Sequence, residues 1–342
     1  MTSPLTTVLI TTYNYGRFIE EAIDSVLAQD YARERVQIVV VDDGSTDDTA
    51  ERVKKYGERV EYFYQANGGQ ASALNLGISK ARGEIVALLD ADDLFVAGKL
   101  TRVAEAFARD ASVGMVYHRL REWDMESGEC RESSFPLVSG DVYKEPEQFR
   151  LYYPHPTSCL SFRRAALENL MPIPEKIRML ADGYPANLIP FLTPIVALPE
   201  VLAVYRLHGK NCYFADEKRL SPEVRKKRQR EWRILIDCLR EWIVKNGWSG
   251  RQVAVRDFLV RWNRYQKREE FEINPPGRLR FFWFLVTENH AWRATQTWRF
   301  TMLNYVTAFA ALGFGYKNEE SMESWRLRTV RGLQRLLGRP VQ

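Results

Sequence analysis

The stretch Ile85-Val86-Ala87-Leu88-Leu89-Asp90-Ala91-Asp92-Asp93 decides the fold class of this 342-residue chain. Its five consecutive apolar residues predict a strand that is buried on both faces, as the strands of a parallel sheet are. Three carboxylates follow this strand directly. They would therefore lie at its carboxyl end, which is where open α/β sheets bind their ligands.

Strands and helices alternate in this way through the first 117 residues. Short apolar runs are separated by stretches with helical periodicity, which predicts an α/β fold with a Rossmann-like, mainly parallel sheet flanked by helices. The other predicted strands are 8–12, 36–41, 60–64 and 114–117. The predicted helices are 46–56, 70–81 and 99–109, preceded by one that buries Phe18, Ala22, Ile23, Val26 and Leu27.

Polar residues follow the ends of four predicted strands. They are Thr11 to Asn14, Asp42 to Ser45, Asn67 to Gly69, and Asp90 to Asp93. Because the carboxyl ends of parallel strands meet at the same edge of a sheet, these four segments are expected to converge in space. The sequence thus predicts one ligand crevice at that edge.

Asp90, Asp92 and Asp93 are the strongest chemical signal in the sequence. Clustered carboxylates repel one another and lose hydration on burial, unless a cation or hydrogen-bond donors compensate them. Oxygen ligands suit Mg²⁺ or Mn²⁺, and such an ion leaves coordination positions for a diphosphate. The alternative is a solvated acidic turn before the helix near Lys99, since aspartate is common in turns.

The segment from Asp42 to Asp47 also has two interpretations. One of its carboxylates could accept hydrogen bonds from a nucleobase or a ribose. The segment could equally be a turn in which Thr46 or Asp47 caps the following helix, because both residue types satisfy free N–H groups at helix starts. The residues of this segment alone do not distinguish a nucleotide contact from a helix-capping turn.

Taken together, these segments resemble glycosyltransferase family 2 in sequence and in order. The matching residues are Val8 to Asn14, Val39 to Asp47, Asn67 to Gly69 with Ala71, Asn75 and Gly77, and Ala81 to Glu84 leading into Leu89 to Asp93. The resemblance is close from residue 5 to about 110 and extends more loosely to about 215. It implies the GT-A fold and an inverting transfer of a sugar from a nucleotide-sugar donor.

The resemblance also implies roles for residues of the first half. Thr11 and Tyr13 would border the nucleobase, and Asp43 would bond it, as in relatives that bind uridine diphosphate. Asp90 would contact the ribose or support the metal. Asp92 would be a direct ligand of Mn²⁺ or Mg²⁺.

Two later residues complete the site that the resemblance implies. Asp182 stands where relatives place a catalytic aspartate and would deprotonate the acceptor hydroxyl, although Ala181 replaces a glutamate that is common before it. His208 would complete the metal shell or contact the diphosphate. From the residues alone, Asp182 could instead cap a helix and His208 could be structural. Asp93 is left as a supporting or alternative ligand.

The predicted function is a metal-dependent, inverting transfer from a nucleotide-sugar, favouring a UDP-sugar, to a hydroxyl of a sugar, glycan or lipid-linked acceptor. Such a reaction fits polysaccharide or glycolipid assembly. One alternative is a catalytically silent nucleotide-binding scaffold. Another is a sugar nucleotidyltransferase, but Thr11 to Arg17 is not the glycine-rich basic loop that binds a triphosphate.

The charge distribution predicts a catalytic domain and an extension. Residues 1 to 110 carry 12 basic and 18 acidic side chains, a net charge of −6, whereas residues 218 to 342 carry 26 and 12, a net charge of +14. We therefore expect a catalytic domain at 1–216, with a nucleotide-binding half at 1–117 and an acceptor half at 118–216. A basic, aromatic-rich helical extension would follow at 217–342, with helices predicted from Glu223 to Lys245 and from Gln252 to Glu270.

The extension has two interpretations. Arg278 to Val286 and the aromatic residues up to Phe309 mix basic and aromatic side chains as interfacial helices do, which would give a peripheral membrane contact. Alternatively, these aromatic residues pack a helical subdomain. Nucleic acid is an unlikely partner because no recognition motif accompanies the charge. The first seven residues do not resemble a secretory signal, and four dispersed cysteines fit a reducing cytoplasm, including the inner face of its membrane.

Overall fold

The computed structural model describes residues 3–145, 148, 151–152, 155–209, 211, 222–248, 283 and 286. The chain divides into two compact units. The first is Met1–Ala215 with Glu231–Phe258, and the second is Asp216–Arg230 with Leu259–Gln342. Every site residue predicted from the sequence belongs to the first unit. The division of the chain at residue 216 into domains of different function stays a prediction.

Nine strands within the described residues form one sheet. They are β1 (Thr6–Thr12), β2 (Val36–Asp42), β3 (Glu61–Tyr64), β4 (Ile85–Asp90), β5 (Leu94–Phe95), β6 (Met115–Asp124), β7 (Cys130–Glu132), β8 (Ser161–Arg163) and β9 (Ile195–Leu207). The described α-helices are α1 (Gly16–Leu27), α2 (Thr49–Lys54), α3 (Gln70–Lys80), α4 (Lys99–Arg109), α5 (Arg164–Glu168), α6 (Gly183–Leu192) and α7 (Pro222–Lys245). Short 3₁₀ turns lie at Arg33–Arg35, Gly57–Arg59 and Thr157–Cys159.

The strand order is β3-β2-β1-β4-β8-β6-β9-β5, with β7 paired to β6. The first four strands are all parallel, in the order of one half of a Rossmann sheet. Strand β8 runs antiparallel between β4 and β6, whereas the long ladder between β6 and β9 is parallel. The predicted mainly parallel sheet with flanking helices is confirmed, and its later part is mixed.

The central strands are buried because helices cover them. Ile10 on β1, Val40 on β2 and Leu89 on β4 are 0% exposed and belong to one apolar cluster with Ile19 and Ile23 of α1. Burial of each such side chain contributes about 1.5–3 kcal/mol. The helical spacing of the α1 residues thus attaches that helix to the sheet and fixes the loop between β1 and α1.

Two elements differ more than the others from their predicted bounds. Helix α2 starts at Thr49 rather than Thr46, and the residues before it form loop contacts: the N–H of Thr46 donates to Asn14 Oδ1 at 2.8 Å, and Asp47 Oδ1 accepts from the N–H of Thr49 at 3.1 Å. Strand β6 continues to Asp124 rather than ending at residue 117, because β9 and β7 supply pairing partners along its extension. Neither partner strand was predicted from the sequence, because β9 lies far along the chain and β7, which follows β6 across a short turn, has only three residues.

The predicted helix from Glu223 to Lys245 is confirmed as α7. The predicted helix at 252–270 lies outside the described residues, as does the basic and aromatic segment at 278–309 apart from Trp283 and Val286. Within the described part of the chain, no helix combines the length and apolar character needed to cross a membrane.

Candidate active site

The carboxyl ends of the parallel strands converge as predicted. Thr11, near the end of β1, is paired with Val41 on one side and with Asp90 on the other. Beyond β1, the N–H of Asn14 donates to Ser45 Oγ at 2.8 Å, which ties the loops after β1 and β2 together. Asn14 has a φ of 58°, a left-handed conformation that asparagine tolerates better than most residues.

The carboxylates after β2 are surrounded by hydrogen-bond donors. Asp42 accepts from the N–H of Ser45 and from the Tyr62 hydroxyl, both at 2.7 Å. Asp43 is 5% exposed, and its oxygens accept from the N–H groups of Gly68 and Gly69 at 2.8 Å. It also accepts from the Gln65 amide at 2.7 Å. Asp43 therefore holds the loop that precedes α3.

Two glycines make this loop arrangement possible. Gly44 has a φ of +86°, and a Cβ there would lie 2.7 Å from the backbone nitrogen of Asn67. Gly69 has a φ of +91°, and its Cβ would lie 2.8 Å from Arg178 Cα. Any side chain at either position would separate the loops, because L-residues disfavour these φ values and the space is filled.

The carboxylates after β4 lie close to one another. One oxygen from each of Asp90, Asp92 and Asp93 can be chosen so that all three lie within 4.8 Å. Burial raises the pKa of the Asp90 carboxyl well above its usual value, and the charges of Asp92, Asp93 and Asp182 raise it further. Burial, followed by the charge of Asp92, also raises the pKa of Asp93. This cluster favours a bound cation.

Asp93 serves a supporting role in this cluster. It is 0% exposed, and its two oxygens accept from the Ser158 hydroxyl at 2.6 Å and from the N–H of Arg206 at 3.1 Å. The Ser158 hydroxyl in turn accepts from the N–H of Asp90 at 3.1 Å. Buried Lys99 donates to the Ser158 carbonyl at 2.6 Å. Asp93 is thus occupied by donors of the protein, whereas Asp90 is half-buried and Asp92 is 9% exposed.

His208 lies beside Asp92. The two side chains are in contact, with 3.0 Å between His208 Nε2 and Asp92 Oδ2, and the histidine side chain is 3% exposed. Arg206, which is 0% exposed, donates from Nε to the Asp92 carbonyl and forms an ion pair with Glu21. These contacts fix the end of β9 against the acidic loop.

Asp182 immediately precedes α6 and lies close enough to the cluster for its charge to raise the pKa of Asp90. Its Oδ2 accepts from the Thr157 hydroxyl at 3.0 Å. Burial raises its pKa to about 6. A side chain at Gly183 would come within 3.0 Å of Leu235 on α7, so the start of α6 is packed closely. The carboxyl group is therefore held in place by its neighbours.

The predicted nucleotide residues lie along the same edge. Tyr13 is 49% exposed just beyond β1, and Thr11 is half-buried between β2 and β4. Asp43 is near them in the sheet, but its oxygens already accept three hydrogen bonds from the protein. These side chains are placed where a ligand in the crevice could contact them.

Several supporting residues were not predicted from the sequence. Thr157 and Ser158 lie in the predicted acceptor half at 118–216, but their hydrogen bonds to Asp182 and Asp93 were not predicted. Lys99 was expected only as the start of a helix. The pairing of a buried lysine with a distant carbonyl has no local sequence signal, because it depends on how β4 and β8 meet.

Known proteins resemble this chain in sequence. The profile of "Glycosyl transferase family 2" matches residues 7–170. An uncharacterized glycosyltransferase from Nostoc sp. is 34% identical over 273 residues, which cover 78% of this chain and 84% of that protein. An uncharacterized glycosyltransferase from Rickettsia typhi is 45% identical over 98 residues, 29% of this chain and 30% of that protein.

Solved structures share the fold at lower sequence identity. Residues 1–349 of S. aureus TarS, in complex with UDP-GlcNAc, superpose with a TM-score of 0.60 and 20% identity, covering 100% of this chain and 93% of that one. The mannosyltransferase PcManGT from Pyrobaculum calidifontis, in complex with GDP-Man and Mn²⁺, gives 0.55 and 22%, covering 98% and 88%. The expected GT-A fold is confirmed. The sequence relationship establishes more than the fold: this chain belongs to glycosyltransferase family 2 and is a glycosyltransferase.

Proposed function

We propose that this glycosyltransferase moves a sugar from a UDP-sugar to an acceptor hydroxyl, inverting the anomeric centre with the help of Mn²⁺ or Mg²⁺. Sugar transfer from a nucleotide-sugar follows from the family; the nucleotide, the metal and the stereochemistry are the proposal. The observation that carries it is the acidic cluster after β4, where the pKa of Asp90 is raised by burial and by three neighbouring carboxylates, one of them Asp182.

The proposed metal ligands are Asp92 and His208. Their Oδ2 and Nε2 atoms are 3.0 Å apart. Two ligands that bind Mg²⁺ or Mn²⁺ at adjacent octahedral positions, each at about 2.1 Å, are separated by about 3 Å. A carboxylate and an imidazole at this distance therefore fit one shared cation. When bound, such a cation would stabilise negative charge on the departing diphosphate.

The proposed nucleotide contacts are Thr11, Tyr13, Asp43 and Asp90. The exposed ring of Tyr13 offers a face on which a nucleobase can stack. Asp90 is half-buried next to Thr11 and would accept from a ribose hydroxyl. Asp43 acts both by holding the Gly68 and Gly69 loop against the crevice and by bonding the base with a remaining lone pair.

Asp182 is the proposed general base. It would take the proton from the acceptor hydroxyl as that oxygen attacks the anomeric carbon and the diphosphate leaves from the opposite face. A single displacement of this kind inverts the configuration and needs no covalent enzyme intermediate. A carboxyl group with a pKa of about 6 is a stronger base than an ordinary aspartate and is still ionised at neutral pH.

The decisive test is nucleotide binding by Asp92→Ala, measured by titrating UDP with and without Mn²⁺. We expect Mn²⁺ to strengthen UDP binding by the wild type and to have little effect on the variant, because a proposed metal ligand is gone. Asp48→Ala is the matched control, since Asp48 is exposed and lies before α2. If both proteins bind UDP with the same affinity in the presence and in the absence of Mn²⁺, the metal assignment is contradicted.

A companion assay addresses catalysis itself. The wild type should hydrolyse a UDP-sugar slowly in the presence of Mn²⁺, because water can replace the acceptor. Binding without any turnover across a panel of nucleotide-sugars would favour a silent nucleotide-binding scaffold. Faster turnover with a GDP-sugar or another donor would correct the nucleotide and leave the reaction type unchanged.

The acceptor is proposed to be a sugar, glycan or lipid-linked hydroxyl, bound by the half of the catalytic domain at 118–216. The basic, aromatic extension at 217–342 supports a peripheral contact with an anionic membrane surface on the cytoplasmic side. Flotation with vesicles that contain anionic lipid tests this contact. If the protein does not float with these vesicles in low salt, the proposal that the extension binds a membrane is contradicted.

A further inference from the structure

Arg17 makes an unusual contact with the proposed metal ligand His208. Arg17 lies in the first turn of α1, with its guanidinium exposed and stacked 4.3 Å from the centre of the Phe18 ring. Its Nη2 is 3.2 Å from Nδ1 of His208. The other ring nitrogen, Nε2, is 3.0 Å from Asp92 Oδ2. The imidazole thus lies between a cation and a carboxylate.

The Arg17 contact fixes the position of the ring proton. A guanidinium has N–H donors and no acceptor, so Nδ1 of His208 must accept from it. In the neutral imidazole the proton is then on Nε2, which donates to Asp92. The ring packs 4.8 Å from the Phe18 ring and 5.7 Å from the Tyr15 ring, centre to centre, so packing maintains this orientation.

A metal ion at Nε2 needs the opposite tautomer. Coordination uses the lone pair of Nε2, and the proton of the neutral ring must then be on Nδ1. Nδ1 would be a donor facing a guanidinium that is also a donor. Arg17 and a cation at Nε2 therefore exclude each other. The change conserves protons, since one leaves Nε2 for solvent and one is taken up at Nδ1.

We propose that Arg17 is a positioning residue that holds His208 in the tautomer unable to bind metal, and that it moves to the diphosphate when metal and donor bind together. This inference rests on the proposed metal site. Its physical basis is that the Arg17 side chain is exposed and that its guanidinium is separated from Asp92 only by the imidazole of His208, close to the place where a diphosphate would meet a metal on Asp92. Metal and nucleotide diphosphate should then bind cooperatively, because each removes the Arg17 contact that opposes the other.

The first test measures Mn²⁺ affinity by calorimetry without nucleotide. Arg17→Met should bind Mn²⁺ about three- to tenfold more tightly than the wild type, the effect expected from losing one solvent-exposed hydrogen bond. The same substitution in a His208→Ala background should change the affinity by less than about twofold. An equal gain in both backgrounds would mean that Arg17 acts only through its charge, and would overturn the proposal.

Arg109→Met is the control for net charge, because Arg109 is exposed at the end of α4. It should leave Mn²⁺ affinity unchanged. With Mn²⁺ and inorganic pyrophosphate present, the order should reverse, so that Arg17→Met binds the pair at least threefold more weakly than the wild type. Tighter binding of the pair by Arg17→Met would overturn the transfer of Arg17 to the diphosphate.

The second test observes the tautomer directly in the metal-free protein. The ¹⁵N shifts of His208 should place the proton on Nε2 in the wild type, and Arg17→Met should lose this preference. A proton on Nδ1 in the wild type would overturn the proposal, whatever the metal data show. If His208→Ala and Asp92→Ala leave Mn²⁺ affinity intact, the metal site itself is wrong. A His208-dependent site without any effect of Arg17→Met overturns only the role of Arg17.

Discussion

Two acidic strand ends lie at the same edge of the sheet and have opposite surroundings. After β2, Asp42 and Asp43 meet donors: the N–H groups of Ser45, Gly68 and Gly69, the Tyr62 hydroxyl and the Gln65 amide. After β4, Asp90, Asp92 and Asp93 lie close to one another, with His208 beside Asp92. Both ends contain an Asp-Asp pair in the sequence, but hydrogen-bond donors of the protein satisfy the first, whereas repulsion between carboxylates persists at the second.

The difference shows how a strand-end carboxylate acquires its role. Backbone N–H groups from a glycine-bearing loop convert the β2 carboxylates into anchors for the crevice wall. At β4, Ser158 and the N–H of Arg206 satisfy Asp93, whereas Asp90 keeps the repulsion of its neighbours. A fold accepts such repulsion where function requires it. Replacing aspartate by asparagine at each place should therefore give opposite results.

The largest expected effect is that of Asp182→Asn on turnover. Asparagine keeps the shape of the side chain and can accept from Thr157, but it cannot take a proton. We expect kcat to fall by about 10²–10⁴-fold, the usual contribution of a general base. UDP affinity should change less than about twofold, and the melting temperature should stay the same or rise, because burial disfavours the ionised carboxyl. Initial rates, UDP titration and calorimetry measure the three quantities.

Asp48→Asn serves as the matched control for this substitution. Asp48 is exposed and paired with Arg52 on the surface, so turnover and stability should both stay close to wild type. Full turnover by Asp182→Asn would remove Asp182 from the role of base. A large fall in its melting temperature would show that the carboxylate supports the fold, as Asp43 does.

Asp43→Asn should show the reverse pattern, with stability as the main loss. The new amide would direct N–H groups at N–H groups of Gly68, Gly69 or Gln65, leaving buried donors without an acceptor. We expect the free energy of unfolding to fall by about 1–3 kcal/mol. Urea denaturation of this variant beside Asp48→Asn measures it. Unchanged stability would mean that the loop at 67–69 does not depend on the carboxylate.

The two strand ends also show which features could be predicted from the sequence and which could not. The apolar runs of β1, β2 and β4 and the polar residues after them predicted the parallel half of the sheet and its crevice, because both signals are local. The supporting contacts could not be predicted in this way. Ser158 meets Asp93 and Arg206 meets Asp92 only because β8 and β9, from distant parts of the chain, join the same sheet.

The pH dependence of kcat/KM should report the ionisation of Asp182. Burial raises the pKa of Asp182 to about 6, so the base form is lost as pH falls through this value. With metal saturating, kcat/KM should be level above pH 7 and should fall about tenfold per pH unit below 6, because only the ionised carboxylate accepts a proton. The residual rate of Asp182→Asn should lack this limb. A flat wild-type profile down to pH 5 would contradict the assignment.

The smallest expected effect is a gain in stability for Asp90→Asn. The fold raises the pKa of Asp90, so ionised Asp90 lowers the free energy of unfolding at pH 7.5, and a neutral amide removes this cost. The bond from the N–H of Asp90 to Ser158 uses the backbone and survives the substitution. We expect a gain of about 0.5–1 kcal/mol in EDTA by urea denaturation. Added Mn²⁺ should then stabilise the wild type more than the variant, because the carboxylate that repels its neighbours is also one that would support the cation. A loss of stability in EDTA would mean that Asp90, like Asp43, is a carboxylate whose hydrogen bonds within the protein stabilise the fold.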